Sequence, residues 1–336
     1  MRSTSRRGPR RSAVFAVALT AVAMTVVACG GDSGGGGGGG SAGSGGGKSY
    51  KMTLIAGVKG DQFYITMNCG AQAKAKELGV SLDFQGPDEF DAAQQTPIVD
   101  AVTAKSPDAI LIAPTDTKAL FAPITQAAQN SKIVLVDTTL DDPSMAVSQI
   151  ASDNTAGGTT AGTTLLDLIG GKGKVMIINV KPGISTTDQR GKGFEDAVKG
   201  KPGVEYLGQE YSNNDPAKAA SIVTATLAKH PDLKGIFATN LFAAEGAASG
   251  LRQAGKLGAV KIVGFDAGPK QVQDLKDGLV EALIAQKPAD IGAQGVEQAY
   301  NALEGKPTTP KIGTESVSIT KANLADNQDA LYKSSC

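Results

Sequence analysis

The sequence predicts an α/β protein built from two successive doubly wound units. Short apolar segments alternate with longer segments whose apolar residues recur every three or four positions, which is typical of strands and helices in a mainly parallel sheet. This pattern begins near Met52 and runs through the chain twice in succession. At 336 residues, the chain also exceeds what one hydrophobic core usually supports, so two lobes are expected.

The first unit begins with a strand and a helix over 64–78, which Gly79 is expected to end because glycine readily adopts the left-handed conformation. The predicted strands of this unit are 52–58, 80–84, 109–113, 133–137 and 147–150. A second helix is predicted over 91–104, and Pro97 should either kink it or mark its first turn.

The second unit repeats the alternation. Its predicted strands are 175–180, 204–208, 235–238, 262–265 and 282–285. Its predicted helices are 156–169, 187–199, 215–230, 243–254 and 289–303. Asp215 followed by Pro216 is a strong helix start, with Asp as the cap and Pro at the first helical position.

The N-terminus has the pattern of an export signal over residues 1–28. Five arginines precede an apolar run over 13–28. The four residues that end at Cys29 resemble the lipobox of bacterial lipoproteins, which implies that Cys29 is lipidated; the alternative is a plain secretory signal with a chance cysteine. The glycine-rich stretch 29–47 has almost nothing to bury and is predicted to be a tether.

Composition excludes several classes of protein. Lys+Arg and Asp+Glu are balanced at 33 each, which argues against a nucleic-acid partner. One His and three Cys cannot build most metal sites, so we expect neither a metal ion nor a cofactor. No nucleophile elbow or cofactor fingerprint follows a strand, so no enzymatic activity is expected. A repressor of related fold would need a helix-turn-helix where the export signal stands.

An ordered set of segments resembles the ribose-type solute-binding proteins of sugar ABC transporters, which have the type I periplasmic-binding-protein fold. These segments occur in the family's order, over about 52–319. They are Gly70–Ala73, Lys76–Val80, Ala113–Asp116, Ile150–Asn154, Arg190–Phe194, His230–Asp232, Phe237–Asn240, Val263–Asp266 and Ile284–Gln286.

The resemblance implies two Rossmann-like lobes joined by a three-segment hinge, with a ligand in the cleft between them. The crossovers are expected near 152–154, 286–287 and 312–315. The N-terminal lobe would comprise 48–152 plus 287–313, and the C-terminal lobe 153–286 plus 314–336, which includes the tail.

The candidate ligand residues lie at strand ends, where open α/β sheets bind ligands. Asp137 and Asp266 each end a strand and could accept hydrogen bonds from neighbouring hydroxyls, or simply cap a turn. Arg190 offers a fork of donors that suits adjacent oxygens, or forms a surface salt bridge. Asn240 and Gln286 can donate and accept, or serve as a helix cap and a hinge contact. The resemblance implies that all five touch the ligand.

The resemblance also implies an aromatic face on the sugar from Phe63 and Tyr64; the alternative is that one of the two packs in the core instead. It gives Asp61 a position usually occupied by Asn. Ala113, Thr138 and Pro216 depart from the family's pattern. Asn214 stands where a second aromatic is common, and Phe242 could restore that face. With fewer stacking faces, the site is predicted to prefer a sugar alcohol of four or five carbons, or a small pentose, to any hexopyranose.

The sequence therefore predicts a lipoprotein on the outer face of the cell membrane that binds a small sugar or polyol and closes about its hinge. Its partners would be this ligand and an ABC permease, with the membrane contacted only through the anchor and the protein a monomer. The alternative is a sensor that presents the same ligand to a membrane receptor. Cys69 and Cys336 remain after lipidation and should pair in an oxidising setting, or else stay free thiols.

Overall fold

The computed structural model describes residues 49–336. The predicted signal peptide 1–28, the lipidation site Cys29 and the tether 29–47 lie outside the described residues. Within the described range the chain forms twelve strands and nine α-helices, most of them in strict alternation.

The strands form two six-stranded sheets, one for each lobe. Lobe one contains β1 (Lys51–Ile55), β2 (Ser81–Gln85), β3 (Ala109–Ile112), β4 (Lys132–Val136), β5 (Ala146–Ser152) and β11 (Lys311–Thr314). Lobe two contains β6 (Gly173–Asn179), β7 (Val204–Tyr211), β8 (Leu233–Ala238), β9 (Lys261–Phe265), β10 (Ala282–Ala285) and β12 (Val317–Thr320). The spatial orders are β11-β5-β4-β3-β1-β2 and β12-β10-β9-β8-β6-β7, and every pairing is parallel except β10 with β12.

Helices cover both faces of each sheet, which explains why the central strands are continuous apolar runs. The helices are α1 (Gln62–Leu78), α2 (Ala92–Ala104), α3 (Phe121–Ala127), α4 (Asn154–Leu168), α5 (Ser185–Val198), α6 (Pro216–Lys229), α7 (Leu241–Gln253), α8 (Pro269–Asp277) and α9 (Pro288–Leu303). In lobe one, α1 packs against α9. In lobe two, α4 packs against α5, and α6 against α7.

The chain crosses between the sheets three times. It leaves lobe one between Ser152 and Asn154, where β5 ends and α4 begins. It returns between Ala285 and Pro288, the end of β10 and the start of α9. The last crossing joins the edge strands β11 and β12. Two lobes joined by three short segments can change their relative angle without unfolding either core.

Glycine brings the paired helices into backbone contact next to the first two crossings. A Cβ at Gly158 of α4 would collide with the backbone carbonyl of Arg190, and one at Gly193 of α5 with that of Thr155. In lobe one, a Cβ at Gly292 of α9 would collide with the carbonyl of Met67 in α1. These contacts fix α5 to α4 and α1 to α9.

The C-terminal tail contacts both lobes. After a 3₁₀ helix over Leu324–Ala330, the Tyr332 amide donates to Ala267 O of lobe two at 3.0 Å. The next amide, that of Lys333, donates to Thr66 Oγ1 of α1 at 2.7 Å. Cys336 is in a disulfide with Cys69 of α1, with 5.3 Å between the Cα atoms. The tail therefore spans the two lobes within a few residues.

Two features differ from the sequence-based expectations. α2 begins at Ala92, five residues before Pro97, so the proline is inside the helix and does not start it. The short elements α3, α8, β11 and β12 carry too few residues for their periodicity to be read. Among the described residues, no helix has both the length and the apolar character needed to span a membrane.

Candidate functional site

Side chains that follow the strand ends of both sheets line one cleft between the lobes. Lobe one contributes Asp61, Phe63, Tyr64, Phe90 and Asp137. Lobe two and the second crossing contribute Val180, Ile184, Thr186, Thr187, Arg190, Asn214, Asn240, Asp266 and Gln286. The space between these atoms is about 420 Å³, including the part open to solvent.

Asp137 and Asp266 occupy equivalent places in the two lobes. Each is the residue that directly follows a central strand, and each has a left-handed backbone conformation, with φ of 64° for Asp137 and 77° for Asp266. Each also donates its amide to the carbonyl at the neighbouring strand's end, Ile150 for Asp137 and Ile284 for Asp266. Non-glycine residues rarely adopt this conformation, and it often marks functional sites. It places one carboxylate from each lobe in the cleft.

Arg190 is held rigidly in the wall of lobe two. Its Nε donates to Asn154 Oδ1 at 2.8 Å, and its Nη1 donates to the Thr239 carbonyl at 2.9 Å. The guanidinium carbon lies 3.9 Å from the centroid of the Phe265 ring. Arg190 is 3% exposed, so the surface salt bridge considered from the sequence is wrong. These contacts orient its remaining donors.

Asp266 lies at the centre of a hydrogen-bond network behind the cleft. Its Oδ2 accepts from the Leu241 amide at 3.0 Å, and its Oδ1 accepts from Gln286 Nε2 at 2.6 Å. Gln286 Oε1 in turn accepts from the Ser152 hydroxyl, which links the first two crossings. Gln286 therefore makes the hinge contact and also lines the cleft, so the two roles considered for it are compatible.

The remaining polar wall of lobe two is an amide pair. Asn240 Oδ1 caps α7 by accepting from the Ala243 amide at 3.1 Å. Its Nδ2 donates to Asn214 Oδ1 at 2.6 Å. Phe242 does not join these residues, because it lines the outer mouth of the cleft beside Asn214 and Phe90. It therefore does not restore an aromatic face within the cleft.

In lobe one, aromatic and carboxylate side chains lie together. Asp61 caps α1 by accepting from the Phe63 amide at 2.9 Å. The Tyr64 hydroxyl donates to Asp137 Oδ2 at 2.7 Å. The rings of Phe63 and Tyr64 meet edge to face with centroids 5.1 Å apart. This wall combines an apolar surface with hydrogen-bond acceptors, a combination that suits both the C–H and O–H groups of a sugar.

Two carboxyl groups of the cleft, those of Asp61 and Asp137, have a raised pKa. Burial, assisted by the charges of Asp266 and Asp137, raises the pKa of Asp61 to about 7. Burial raises the pKa of Asp137 to about 6, although the nearby Arg190 guanidinium and the Tyr64 hydroxyl lower it. Removing water disfavours the charged form of a carboxyl group.

The lobes touch each other at the rim, so the structure is a closed conformation. The loop before α5 supplies the contacts from lobe two. Lys181 Nζ donates to the Phe90 carbonyl at 3.0 Å, and the Ser185 hydroxyl accepts from the Thr139 amide at 3.0 Å. The Thr117 amide donates to the Gly183 carbonyl at 3.4 Å. These contacts cover the cleft from both sides.

Sequence reasoning missed part of the cleft lining. Of the ten candidate ligand residues, all except Phe242 line the cleft. Phe90 was missed because it lies in a loop after β2, with no periodic signal. Val180 was missed although it ends the predicted strand 175–180, because it is apolar and only polar and aromatic side chains were considered. Ile184, Thr186 and Thr187 were missed because no polar cap marks the start of α5.

The chain is similar to several proteins of known structure or name. Residues 52–307 match the family model described as a periplasmic binding protein domain. The ribose import binding protein of Salmonella typhimurium is 34% identical over 266 residues, which cover 77% of this chain and 87% of that protein.

Two solved structures closely resemble the fold of this chain. One is an ABC transporter solute-binding protein from Agrobacterium vitis bound with α-D-tagatopyranose; it is 44% identical, has a TM-score of 0.83, and the match covers 85% of this chain and all of that one. Another, from Agrobacterium radiobacter in complex with D-arabinose, is 28% identical with a TM-score of 0.80, covering 85% of this chain and 99% of that one.

Proposed function

Because this chain belongs to the periplasmic binding protein family, whose members are non-enzymatic transport proteins, we propose that it is the solute-binding lipoprotein of an ABC importer. The ligand is a small neutral sugar or sugar alcohol. The protein sits outside the cytoplasm, held by a lipid on Cys29, and delivers the ligand to a permease.

The observation that carries the proposal is the pairing of Asp137 and Asp266 across the cleft. Each lobe contributes a carboxylate in the same local geometry, so a polyhydroxyl ligand that bridges them binds the closed conformation better than the open one. That difference in affinity is what drives hinge closure. The relatives support a carbohydrate ligand, since one is a ribose import binding protein and the two solved structures contain α-D-tagatopyranose and D-arabinose.

The residues also support a neutral ligand. Among the aspartate, glutamate, lysine and arginine side chains that line the cleft, three are carboxyl groups (Asp61, Asp137 and Asp266) and one is a guanidinium (Arg190). An anionic ligand would be repelled in a site with little water, while hydroxyl groups can donate to the carboxylates.

A ligand screen tests the function directly. The purified full chain is titrated in a calorimeter with tetritols, pentitols, pentoses, D-tagatose and aldohexoses. We expect a pentitol, tetritol or small pentose to bind more tightly than any hexopyranose. A preference for a hexopyranose would contradict this choice of ligand but retain a sugar-binding function, whereas no binding to any of these compounds would overturn the proposed function.

A further inference from the structure

Thr187 carries a buried hydroxyl that lacks a partner. In the part of the chain that the structure describes, its Oγ1 is the one buried side-chain nitrogen or oxygen without a hydrogen bond. The residue is 4% exposed and lines the cleft. An unpaired polar group in such a place costs free energy unless a bound molecule satisfies it.

The position of Thr187 in α5 explains why its hydroxyl is free. Helical threonines of this protein, such as Thr66 and Thr103, donate to the carbonyl four residues earlier. For Thr187 that residue is Gly183, which precedes the helix. The Gly183 carbonyl instead accepts from the Thr117 amide across the rim. Because Gly183 lies outside the helix, its carbonyl does not have the helical position, and Thr187 Oγ1 makes no hydrogen bond to it.

The first turn of α5 supplies further donors beside this hydroxyl. Ile184 precedes the helix and has no polar side chain, so no side-chain cap is present. Within the described residues, the amides of Ser185, Thr186 and Thr187 find no acceptor. Free amides at the start of a 14-residue helix carry a partial positive charge.

Arg190 adds charged donors one turn along the same face. Residues three apart in a helix are neighbours on its surface, so Arg190 follows Thr187 along the cleft wall. Its Nε and Nη1 are engaged with Asn154 and the Thr239 carbonyl, whereas its Nη2 has no partner among the described residues. The start of α5 is thus rich in donors, in a cleft whose other charged groups are carboxylates.

We propose that the start of α5 is a distinct subsite within the same cleft. In this subsite Thr187 Oγ1 and Arg190 together bind one oxygen of the ligand. This rests on the proposed function, because the group bound is a hydroxyl or carbonyl oxygen of a neutral sugar or sugar alcohol. Thr187 is then a specificity-determining residue, since its hydroxyl favours ligands that carry an oxygen at one particular position over those that lack it.

The test compares Thr187→Val, which keeps the shape of the side chain, with Thr187→Ser, which keeps the hydroxyl. Thr163→Val is the control, because Thr163 lies in an exposed part of α4 and donates to Thr159 O. Calorimetry on the full chain uses D-tagatose, D-ribose, xylitol and erythritol, followed by the monodeoxy analogues of the compound that binds wild type most tightly.

We expect Thr187→Val to weaken that compound about tenfold or more, while the serine and control variants stay within about threefold. One monodeoxy analogue should lose as much affinity for wild type and should bind wild type and Thr187→Val equally. Equal affinity of wild type and Thr187→Val for every compound would overturn the subsite. So would an equal loss for every analogue, which would indicate a merely structural role.

Two further outcomes separate this inference from the proposed function. If wild type binds none of the neutral compounds, both fail together. If wild type binds them but Thr187→Val has the same affinity as wild type for each of them, the sugar-binding function stands and the subsite is overturned.

Discussion

The Tyr332 hydroxyl, in the C-terminal tail, donates a hydrogen bond to Asp266 Oδ1 at 3.0 Å. The same hydroxyl accepts from the Gln286 amide at 3.1 Å, and the Tyr332 ring contacts Phe63 of lobe one with centroids 5.9 Å apart. The tail therefore touches two side chains of the cleft, those of Asp266 and Phe63, and the backbone of Gln286. A segment remote in sequence supports the geometry of the candidate ligand site.

We predict that Tyr332→Phe weakens ligand binding about fivefold, because Asp266 loses one of its donors while the ring packing stays. Calorimetry with the preferred ligand measures the change. Tyr206→Phe is the matched control, since the Tyr206 hydroxyl has no hydrogen bond within the described residues and lies away from the cleft. Unchanged affinity in Tyr332→Phe would show that the tail does not position Asp266.

Arg190→Ala and Asp266→Ala should each cost at least about 2 kcal/mol of ligand binding, because each leaves buried polar partners unpaired. Arg252→Ala is the control for the arginine, since Arg252 is exposed on α7. Circular dichroism checks that the variants fold. Near-normal affinity in either cleft variant would contradict the role assigned to that residue.

Ligand affinity should fall as the pH rises through about 7. In the closed cleft, burial holds the pKa of Asp61 at about 7 and that of Asp137 at about 6, above the ordinary aspartate value of about 4 that a solvated open cleft would allow. Closure of the cleft is therefore accompanied by proton uptake between about pH 4 and about pH 7, and raising the pH through this range weakens the closed state. Below about pH 4 both states are protonated and the dependence vanishes.

Asp61→Asn is the variant that isolates this effect, because it keeps the shape and cannot titrate. Calorimetry between pH 5 and 8, in buffers of different ionisation enthalpy, should show proton uptake in wild type and less of it in the variant. The charged groups that act on Asp61 are Asp137, Asp266 and Glu245, and all of them remain in the variant. Identical proton uptake in both proteins would rule out Asp61 as the proton acceptor.

Cys336→Ser should destabilise the protein by about 2–4 kcal/mol, because the disulfide to Cys69 closes a very long loop. Denaturant unfolding measures this, and a reductant should destabilise the parent protein but not the variant. Both proteins carry Cys29→Ala, which removes the third thiol. Two reactive thiols in the unfolded, unreduced parent would contradict the pairing.

Cys29→Ala should also release the protein from the membrane fraction without changing ligand affinity. The lipobox-like residues and the glycine-rich stretch that follows motivate this prediction. Fractionation of cells followed by immunoblotting measures it. Continued retention in the membrane would refute the lipid anchor.

The alternation of strands and helices was predictable because buried strands are unbroken apolar runs, such as Ile133–Val136, and helices repeat every three or four residues. The strand-end residues Asp137 and Asp266 were predictable for a related reason, since parallel strands bring their carboxyl ends to one edge. The seven-residue helix α3 was not, because it has no side-chain cap and depends on packing against the rest of the fold. The nine-residue helix α8 is too short for periodicity alone to show it, although Pro269 begins it and Gly278 ends it.

Within the site, the missed residues depend on contacts between distant segments. Phe90 reaches the cleft mouth because Lys181 of the other lobe holds its carbonyl. The predicted pairing of Cys336 with Cys69 returns the tail to α1, but no local pattern indicates that the Tyr332 hydroxyl donates to Asp266. Thr187 has an ordinary sequence context, and only the absence of a partner for its hydroxyl distinguishes it.

The glycine contacts between paired helices have a mechanical consequence. α4 begins directly after the first crossing and is fixed to α5, which carries Thr187 and Arg190. α9 begins directly after the second crossing and is fixed to α1, which carries Phe63 and Tyr64. Each helix pair therefore moves as a rigid unit with the crossing segment that precedes it, so the ligand residues on α5 and α1 rotate together with the hinge. Gly158→Ala or Gly292→Ala would force the paired helices apart and so weaken the coupling between hinge rotation and the ligand residues.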